Sequence, residues 1–357
     1  MSDERLSTAI LGASGYIGQH FARLLADHPW FAPPTLVAGE RSGGKTLAEV
    51  WQLAEAPPIE LAAAPLRTLT AAAIARQGIR VVFSALPSGL AGPVESELVR
   101  RGVSVFSNAA DHRRDPGVAL LVPEVNAARL GGVGRPRPGH GLLVTNPNCS
   151  AAGLVVALAP IVRSLRPRSV HVTTYQALSG AGFPGVPSLS ITDNVVPFIR
   201  DEEEKVERET ALLLGRGRGS RVLPWKVPTV AQCARVATRD GHLEAVTIEA
   251  ERRPSLDEIL AAWRGFDPLG PRQLPTAPTP PVVLRGEPDR PQPLRDRWAG
   301  EPERARGMAV SVGRVRWSPP FLRFFLLAHN AVRGGAGGSV LNAELAVDEQ
   351  LLPTRTP

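Results

Sequence analysis

The chain has 357 residues, 43% hydrophobic and 21% charged, the balance of a globular protein long enough for two domains. Its formal charge of +7 comes from dispersed Lys and Arg with only 5% aromatics, which disfavours a single-strand nucleic-acid binder and suits an anionic small substrate or cofactor. Two cysteines exclude a disulfide framework and point to a reducing compartment. Residues 1–6 lack the basic and apolar regions of a secretion signal, and the most apolar stretch, 151–162, is too short to span a bilayer, so a cytoplasmic location is expected.

Residues 7–11 read as a buried strand that runs into Gly12-Ala13-Ser14-Gly15-Tyr16-Ile17-Gly18 and an amphipathic helix through Leu25. A glycine-rich turn between strand and helix is the context a phosphate-cradling motif requires. Gly12 permits the tight turn, Gly15 lets backbone approach a pyrophosphate, and Gly18 allows close helix packing. The strand 35–38 ends in Gly39-Glu40-Arg41-Ser42, where such folds meet the adenosine ribose. Arg41, Ser42 and Lys45 point to NADP, while Glu40 keeps NAD open. Strands at 80–84 and 103–106 alternate with helices at 70–76 and 94–101, which builds a doubly wound parallel sheet. The loops after these strands carry Leu86-Pro87-Ser88 and the basic Asp111-His112-Arg113-Arg114, the latter able to clamp a phosphate or carboxylate.

Next, 141–145 reads as a short strand and 151–165 as an apolar helix, with Asn146-Pro147-Asn148-Cys149-Ser150 between them. A free cysteine is usually a small core residue. At a helix N-terminus, however, a thiol feels the positive end of the dipole and unpaired N–H groups, which favours a thiolate and can hold an oxyanion. Beyond it the texture changes to longer strands at 169–177 and 243–250, hence a second, α+β domain with a mainly antiparallel sheet. A charged helix begins at Asp201, with Glu202 and Lys205 on one face. Arg235 and His242 flank the Asp240-Gly241 turn signal, and a lone histidine is more often structural than catalytic. Residues 266–306, rich in Pro and Arg, read as a loop. Strands at 308–312 and 321–328 lead to His329-Asn330 and a final helix at 336–347.

Taken together, these pieces resemble the aspartate-semialdehyde dehydrogenase family, in its archaeal and fungal branch. The resemblance runs from Thr8 to about Ala346. It is carried by Gly12 to Gly18, Glu40-Arg41-Ser42, Phe83 to Pro87, Ser107 to Arg113, Pro123-Glu124-Val125-Asn126, Asn146 to Ser150, Ser179 to Gly182, Gly241-His242 and His329-Asn330. It implies that Cys149 is the nucleophile and His242 the acid/base, with Gln176 positioning a thioester and Asn148 in the same catalytic group. It implies that Arg113 and Lys205 bind phosphate and that Glu202 and Arg235 hold the substrate's amino and carboxylate groups. NADP is expected to face Gly12, Ala13, Ser14, Gly15, Tyr16, Ile17, Arg41, Ser42, Ser179, Gly180 and Asn330, and no metal is expected.

The implied reaction is NADPH-dependent reductive dephosphorylation of L-aspartyl 4-phosphate. The alternative is reduction of a CoA thioester such as malonyl-CoA, or of a related acyl phosphate. Implied domains are 1–148, an NADP-binding Rossmann-type unit completed by a C-terminal helix 331–357, and 149–330, the catalytic and dimerisation unit of a homodimer or homotetramer. The sequence departs from the family pattern at Gly39, where a serine is common, at Ala234, where an asparagine is common, and at Gly335, where an alanine is common.

Overall fold

Six short parallel strands carry the first half of the computed structural model, which describes residues 5–218 and 221–352. They are β1 (Thr8–Leu11), β2 (Thr35–Val37), β3 (Val81–Ser84), β4 (Ser104–Ser107), β5 (Ala119–Leu120) and β6 (Leu143–Thr145), in the spatial order β2-β1-β3-β4-β6-β5. A parallel sheet covered on both faces has no wet side, and accordingly β1, β3 and β4 are buried at every residue. The chain leaves β1 toward β2 on one side and returns to β3 on the other, so the order reverses between β1 and β3. Such sheets bind ligands in the crevice at the carboxyl ends of the strands at this reversal. Helix α1 (Tyr16–Leu25) starts there, and α2 (Ala91–Arg100) follows β3.

The second half begins with α3 (Cys149–Leu158), which is apolar beyond Ser150 and buried from Ser150 to Leu158. The helix read from sequence as continuous to Leu165 breaks after Ala159. Pro160 has no N–H to donate, and the chain resumes as a separate short helix, Val162–Leu165. The second sheet comprises β7 (Pro167–Gln176), β10 (Thr229–Arg235), β11 (His242–Ala250), β12 (Val282–Arg285), β13 (Val310–Ser318) and β14 (Phe321–Ala328). A separate ribbon pairs β8 (Arg216–Arg218) with β9 (Arg221–Leu223). The large sheet runs β10-β7-β11-β14-β13-β12. Its three inner pairings are antiparallel and its two outer ones parallel, which makes it the mainly antiparallel sheet expected, mixed at its edges. Burial alternates along β11, as a half-covered sheet requires. Helices α4 (Glu202–Leu213) and α5 (Leu256–Arg264) complete this half, with Trp263 of α5 donating to the Ala157 carbonyl of α3 at 2.8 Å.

Two long-range returns join the halves. Helix α6 (Gly337–Asp348) packs Val340, Leu341 and Leu345 into the core that holds Phe21, Phe83 and Phe106 of the first sheet. Residues 353–357 of the expected C-terminal helix lie outside the described residues. The Pro- and Arg-rich stretch read as a loop does more than connect. It sinks Leu269, Leu274 and Ala277 into that same core and supplies edge strand β12. Among the described residues no helix is long and apolar enough to cross a membrane.

Candidate active site

Cys149 is the first residue of α3, and Asn148 caps the helix by accepting from the N–H groups of Ser150 and Ala151 at 3.0 and 3.1 Å. The cap fixes the sulfur at the carboxyl edge of the first sheet. Gly334, in the turn before α6, presses against it from behind, where a Cβ would lie 2.6 Å from that of Cys149. Across the cleft, the first residue of β11 is His242, fully buried, with Nε2 3.2 Å from Cys149 Sγ. The N–H of Ala177, just past the end of β7, donates to His242 Nδ1 at 3.1 Å. Two strand ends and one helix start therefore converge on the sulfur.

The polar groups around this pair form one network. Glu202 Oε1 accepts from Asn148 Nδ2 at 2.8 Å and from Gln176 Nε2 at 2.9 Å. Arg235 donates through Nη1 to the Ala177 carbonyl at 2.7 Å. Arg113 donates to Glu209 at 3.1 Å and to the Asn108 carbonyl at 2.9 Å. Glu209 also accepts from the backbone N–H of Asn148. Sequence reading missed Glu209, although its spacing of seven from Glu202 puts both on one face of α4. Lys205 is half-buried one turn after Glu202, and among the described residues it makes no ion pair.

Desolvation, then Glu202, pushes the Cys149 thiol up to about 12, against the smaller opposing pull of Arg235, Arg113 and the Ser150 N–H. Burial and the Arg235 guanidinium push His242 down to about 3, which keeps the ring neutral. Beneath them Glu244, fully buried on β11, has both carboxylate oxygens unpartnered among the described residues. Burial and Glu202 raise its pKa well above the carboxylate range.

The residues expected to face a nucleotide fall into two groups. Gly12 has a φ of 75° and lies at the β1–β3 reversal, where a Cβ would sit 2.8 Å from the Ala85 carbonyl oxygen. No side chain caps α1, whose start at Tyr16 follows Gly15 directly. Ala13, Ser14 and Gly15 form the turn itself. The side chains of Tyr16 and Ile17 point inward, Tyr16 to Asp240 and Ile17 toward Gly335, which leaves only their backbone at the helix start. Arg41 and Ser42 sit in the turn after β2, and a serine at Gly39 would meet nothing within 4 Å. In the second group, Asn330 donates to Ser179 Oγ at 2.8 Å and accepts from the Gly241 N–H at 2.9 Å. Gly180 lies beside Arg235 and His242, with room for no more than hydrogen before them.

Comparison with known proteins places the fold in a family. Residues 7–133 match the family described as semialdehyde dehydrogenase, NAD binding domain, and residues 158–333 match semialdehyde dehydrogenase, dimerisation domain. An aspartate-semialdehyde dehydrogenase of Archaeoglobus fulgidus is 44% identical, covering 98% of this chain and 100% of the relative. A malonyl CoA reductase (NADP) of Metallosphaera sedula is 36% identical, with 98% and 99% covered. The crystal structure of aspartate semialdehyde dehydrogenase with NADP from Candida albicans superposes with a TM-score of 0.84 at 33% identity, over 97% of this chain and 100% of that one. Sequence and fold agree over nearly the whole length, and the chain belongs to the aspartate-semialdehyde dehydrogenase family.

Proposed function

We propose that the chain reduces L-aspartyl 4-phosphate to L-aspartate 4-semialdehyde with NADPH, releasing phosphate, through a thioester on Cys149. The observation that carries this reading is the sulfur of Cys149 held 3.2 Å from a buried histidine and flanked by Arg113 and Arg235. An acyl phosphate is electrophilic but doubly anionic, and cations around the nucleophile remove that repulsion. Arg113 and Lys205 are assigned to the phosphate, Arg235 to the α-carboxylate and Glu202 to the amino group. Gln176 and Asn148, both bonded to Glu202, keep that carboxylate turned toward the substrate.

The glycine turn fits a dinucleotide, because Gly12 leaves backbone bare at the sheet reversal and α1 offers its uncapped N–H groups to phosphate. Ser179, Gly180 and Asn330 line the reacting end, while Arg41 and Ser42 meet the 2′-phosphate. When bound, NADPH supplies the hydride that reduces the thioester. His242, as the acid/base, takes the proton of the Cys149 thiol and returns it when the hemithioacetal collapses. We assign residues 1–148 with the C-terminal 331–357 to the nucleotide unit and 149–330 to catalysis and assembly. Tyr175 and Val230, exposed on the open face of the second sheet, suit a homodimer or homotetramer in the cytoplasm.

Phosphate-dependent NADP reduction by aspartate semialdehyde tests the reading. Cys149→Ala should lose at least about a thousandfold in kcat, as removal of a covalent nucleophile does. Full turnover by that variant would refute the covalent route. A CoA thioester is the second candidate acyl donor, because the malonyl CoA reductase relative matches almost end to end. Initial rates with aspartyl phosphate and malonyl-CoA, measured side by side, decide between them.

A further inference from the structure

We infer that His112 is a positioning residue for the phosphate arginine: as an imidazolium held between α2 and Asp115 it fixes the turn that carries Arg113, and phosphate binds more tightly while the ring is charged. The inference rests on the role proposed above for Arg113, and its first test needs no turnover.

Arg113 stands in the turn 108–115, which follows β4 at the carboxyl edge of the first sheet. Its Nη1 donates to Glu209 at 3.1 Å and its Nη2 to the Asn108 carbonyl at 2.9 Å, while Nε has no partner among the described residues. An arriving phosphate competes with the Glu209 carboxylate for the same guanidinium. The side chain must be free to shift its bonds, so the turn beneath it needs an anchor of its own.

That anchor is the start of α2. Ser88 Oγ accepts from the Ala110 N–H at 3.1 Å, and Asp111 Oδ1 accepts from the N–H groups of Gly89 and Gly92 at 2.9 and 3.1 Å. His112 completes it, buried, with Nε2 3.2 Å from the Gly92 carbonyl oxygen and Nδ1 2.6 Å from Asp115 Oδ2. A carbonyl can only accept, and so can a carboxylate. Both ring nitrogens must therefore donate, which only the imidazolium does.

The charges around the ring favour that form. Glu95 of α2, fully buried, brings Oε2 to 3.8 Å from His112 Nε2, and among the described residues that oxygen has no hydrogen-bond partner. Its other oxygen accepts from Ser107 Oγ, at the end of β4, at 2.8 Å. Asp111 and Asp115 flank the ring along the turn, whose two cations lie elsewhere, Arg113 on Glu209 and Arg114 exposed. Burial by itself lowers the pKa of the ring, but Asp115, Glu95 and the Gly92 carbonyl outweigh it and raise the value above that of an ordinary histidine.

Loss of the proton leaves one N–H for two acceptors. The Gly92 carbonyl is fixed in the backbone, whereas the Asp115 side chain is 49% exposed and water can take the place of the ring. The Asp115 bond is the one given up, and the chain just beyond Arg113 is released. With a raised folded pKa, the anchor is fully present below the ordinary histidine value and is lost as pH rises through the raised one.

Two measurements on the whole enzyme test the inference. In histidine-15N NMR, with His112 assigned by comparison with His112→Gln, the titration midpoint should lie above about 6.5 and should fall in Asp115→Asn. Asp115 is at the surface, so this second variant reports even where the first folds poorly. Inorganic phosphate, compared with chloride at equal ionic strength, should raise the midpoint by about one pH unit, the shift that tenfold tighter binding to the charged form requires. A midpoint below the ordinary value, or one that phosphate does not move, would overturn the inference. Independently, in phosphate-dependent NADP reduction, His112→Gln should raise the KM for phosphate about tenfold at about pH 6.5 with kcat within about twofold, and the ratio to the parent should approach one by about pH 9. The titration of phosphate itself cancels in that ratio. A ratio that stays constant with pH marks a merely structural prop, and a loss confined to kcat marks a part in the chemistry, so either result overturns the inference. If aspartate semialdehyde is not turned over, the proposed function falls, while the response of the midpoint to phosphate still decides the role of His112.

Discussion

Gly180 shows how little space separates binding from chemistry. A Cβ there would lie 2.6 Å from Arg235 Nη1 and 3.2 Å from His242 Cε1, although the residue itself is exposed. Because Arg235 is clamped to the Ala177 carbonyl, it would shift as a unit with that peptide. Gly180→Ala should therefore lower kcat/KM roughly ten- to hundredfold, the usual cost of an ångström of misplacement, while the thermal midpoint stays put. Unchanged steady-state kinetics in that variant would mean that the clamp is softer than its contacts suggest. Glu244 makes the opposite kind of statement, through stability. Its folded pKa is raised, so its contribution is fully present below the unfolded value of about 4.5 and is lost as pH rises. Glu244→Gln keeps the shape without the proton. Its stability relative to the parent should improve as pH rises from about 5 to about 8, by at most ~1.4 kcal/mol per pH unit. Urea unfolding of both proteins at the two pH values checks the sign. At this scale the sequence was legible where a residue type is rare or stands at an element boundary, as with Cys149, His242 and Arg235. It was silent on Glu244 and Glu209, because an acid on a strand or a charged helix reads as a solvated face until the partner element covers it.

Elements repeat the pattern at larger size. The parallel strands were readable because buried strands are apolar along their length, and the start of α3 because a cysteine behind Asn148 marks a helix mouth. What the pattern withheld was the tie between α1 and the turn before β11. Tyr16, one residue beyond the glycine turn, donates its hydroxyl to Asp240, and both are buried. Burial and that carboxylate raise the Tyr16 pKa, so the phenol stays a donor. Phe183 packs edge-on against the ring at 5.1 Å. No local rule pairs residues 224 apart, so a tyrosine in a nucleotide motif reads as a ligand contact. Among the described residues, Tyr16→Phe leaves Asp240 with only Arg239, 3.3 Å away, and should cost about 1–3 kcal/mol of folding stability, the penalty for orphaning a buried acceptor. Asp240→Asn retains an oxygen that accepts the hydroxyl and should recover most of that loss. Chemical denaturation of the two variants separates the cases, since equal losses would point to the carboxylate charge rather than the bond.

The molecule as a whole closes on a seam of aromatic and basic side chains that three distant segments build together. His20 of α1 meets His329 at the end of β14 with ring centroids 5.6 Å apart, Trp298 from the Pro-rich stretch lies 4.4 Å from His329, and Arg23 covers Trp298 at 4.6 Å. Composition alone could not reveal this, because a stretch of prolines and arginines looks solvated until its few anchors, Leu269, Leu274 and Trp298, find their sockets. Among the described residues, neither nitrogen of His20 has a hydrogen-bond partner. Burial first, then His329 and Arg23, lowers its pKa well below the usual value of 6.5. With a depressed folded pKa, the stability it permits is present above about pH 6.5 and is lost on acidification, as the unfolded chain takes up a proton that the folded seam refuses. His20→Leu removes both the unpartnered nitrogens and that proton. It should raise stability by about 1–3 kcal/mol at neutral pH and widen its advantage by at most ~1.4 kcal/mol per pH unit between about pH 6.5 and about pH 5. Unfolding midpoints of the two proteins across that range measure the widening directly. A constant difference would mean that His20 titrates normally when folded and that water reaches it in the seam.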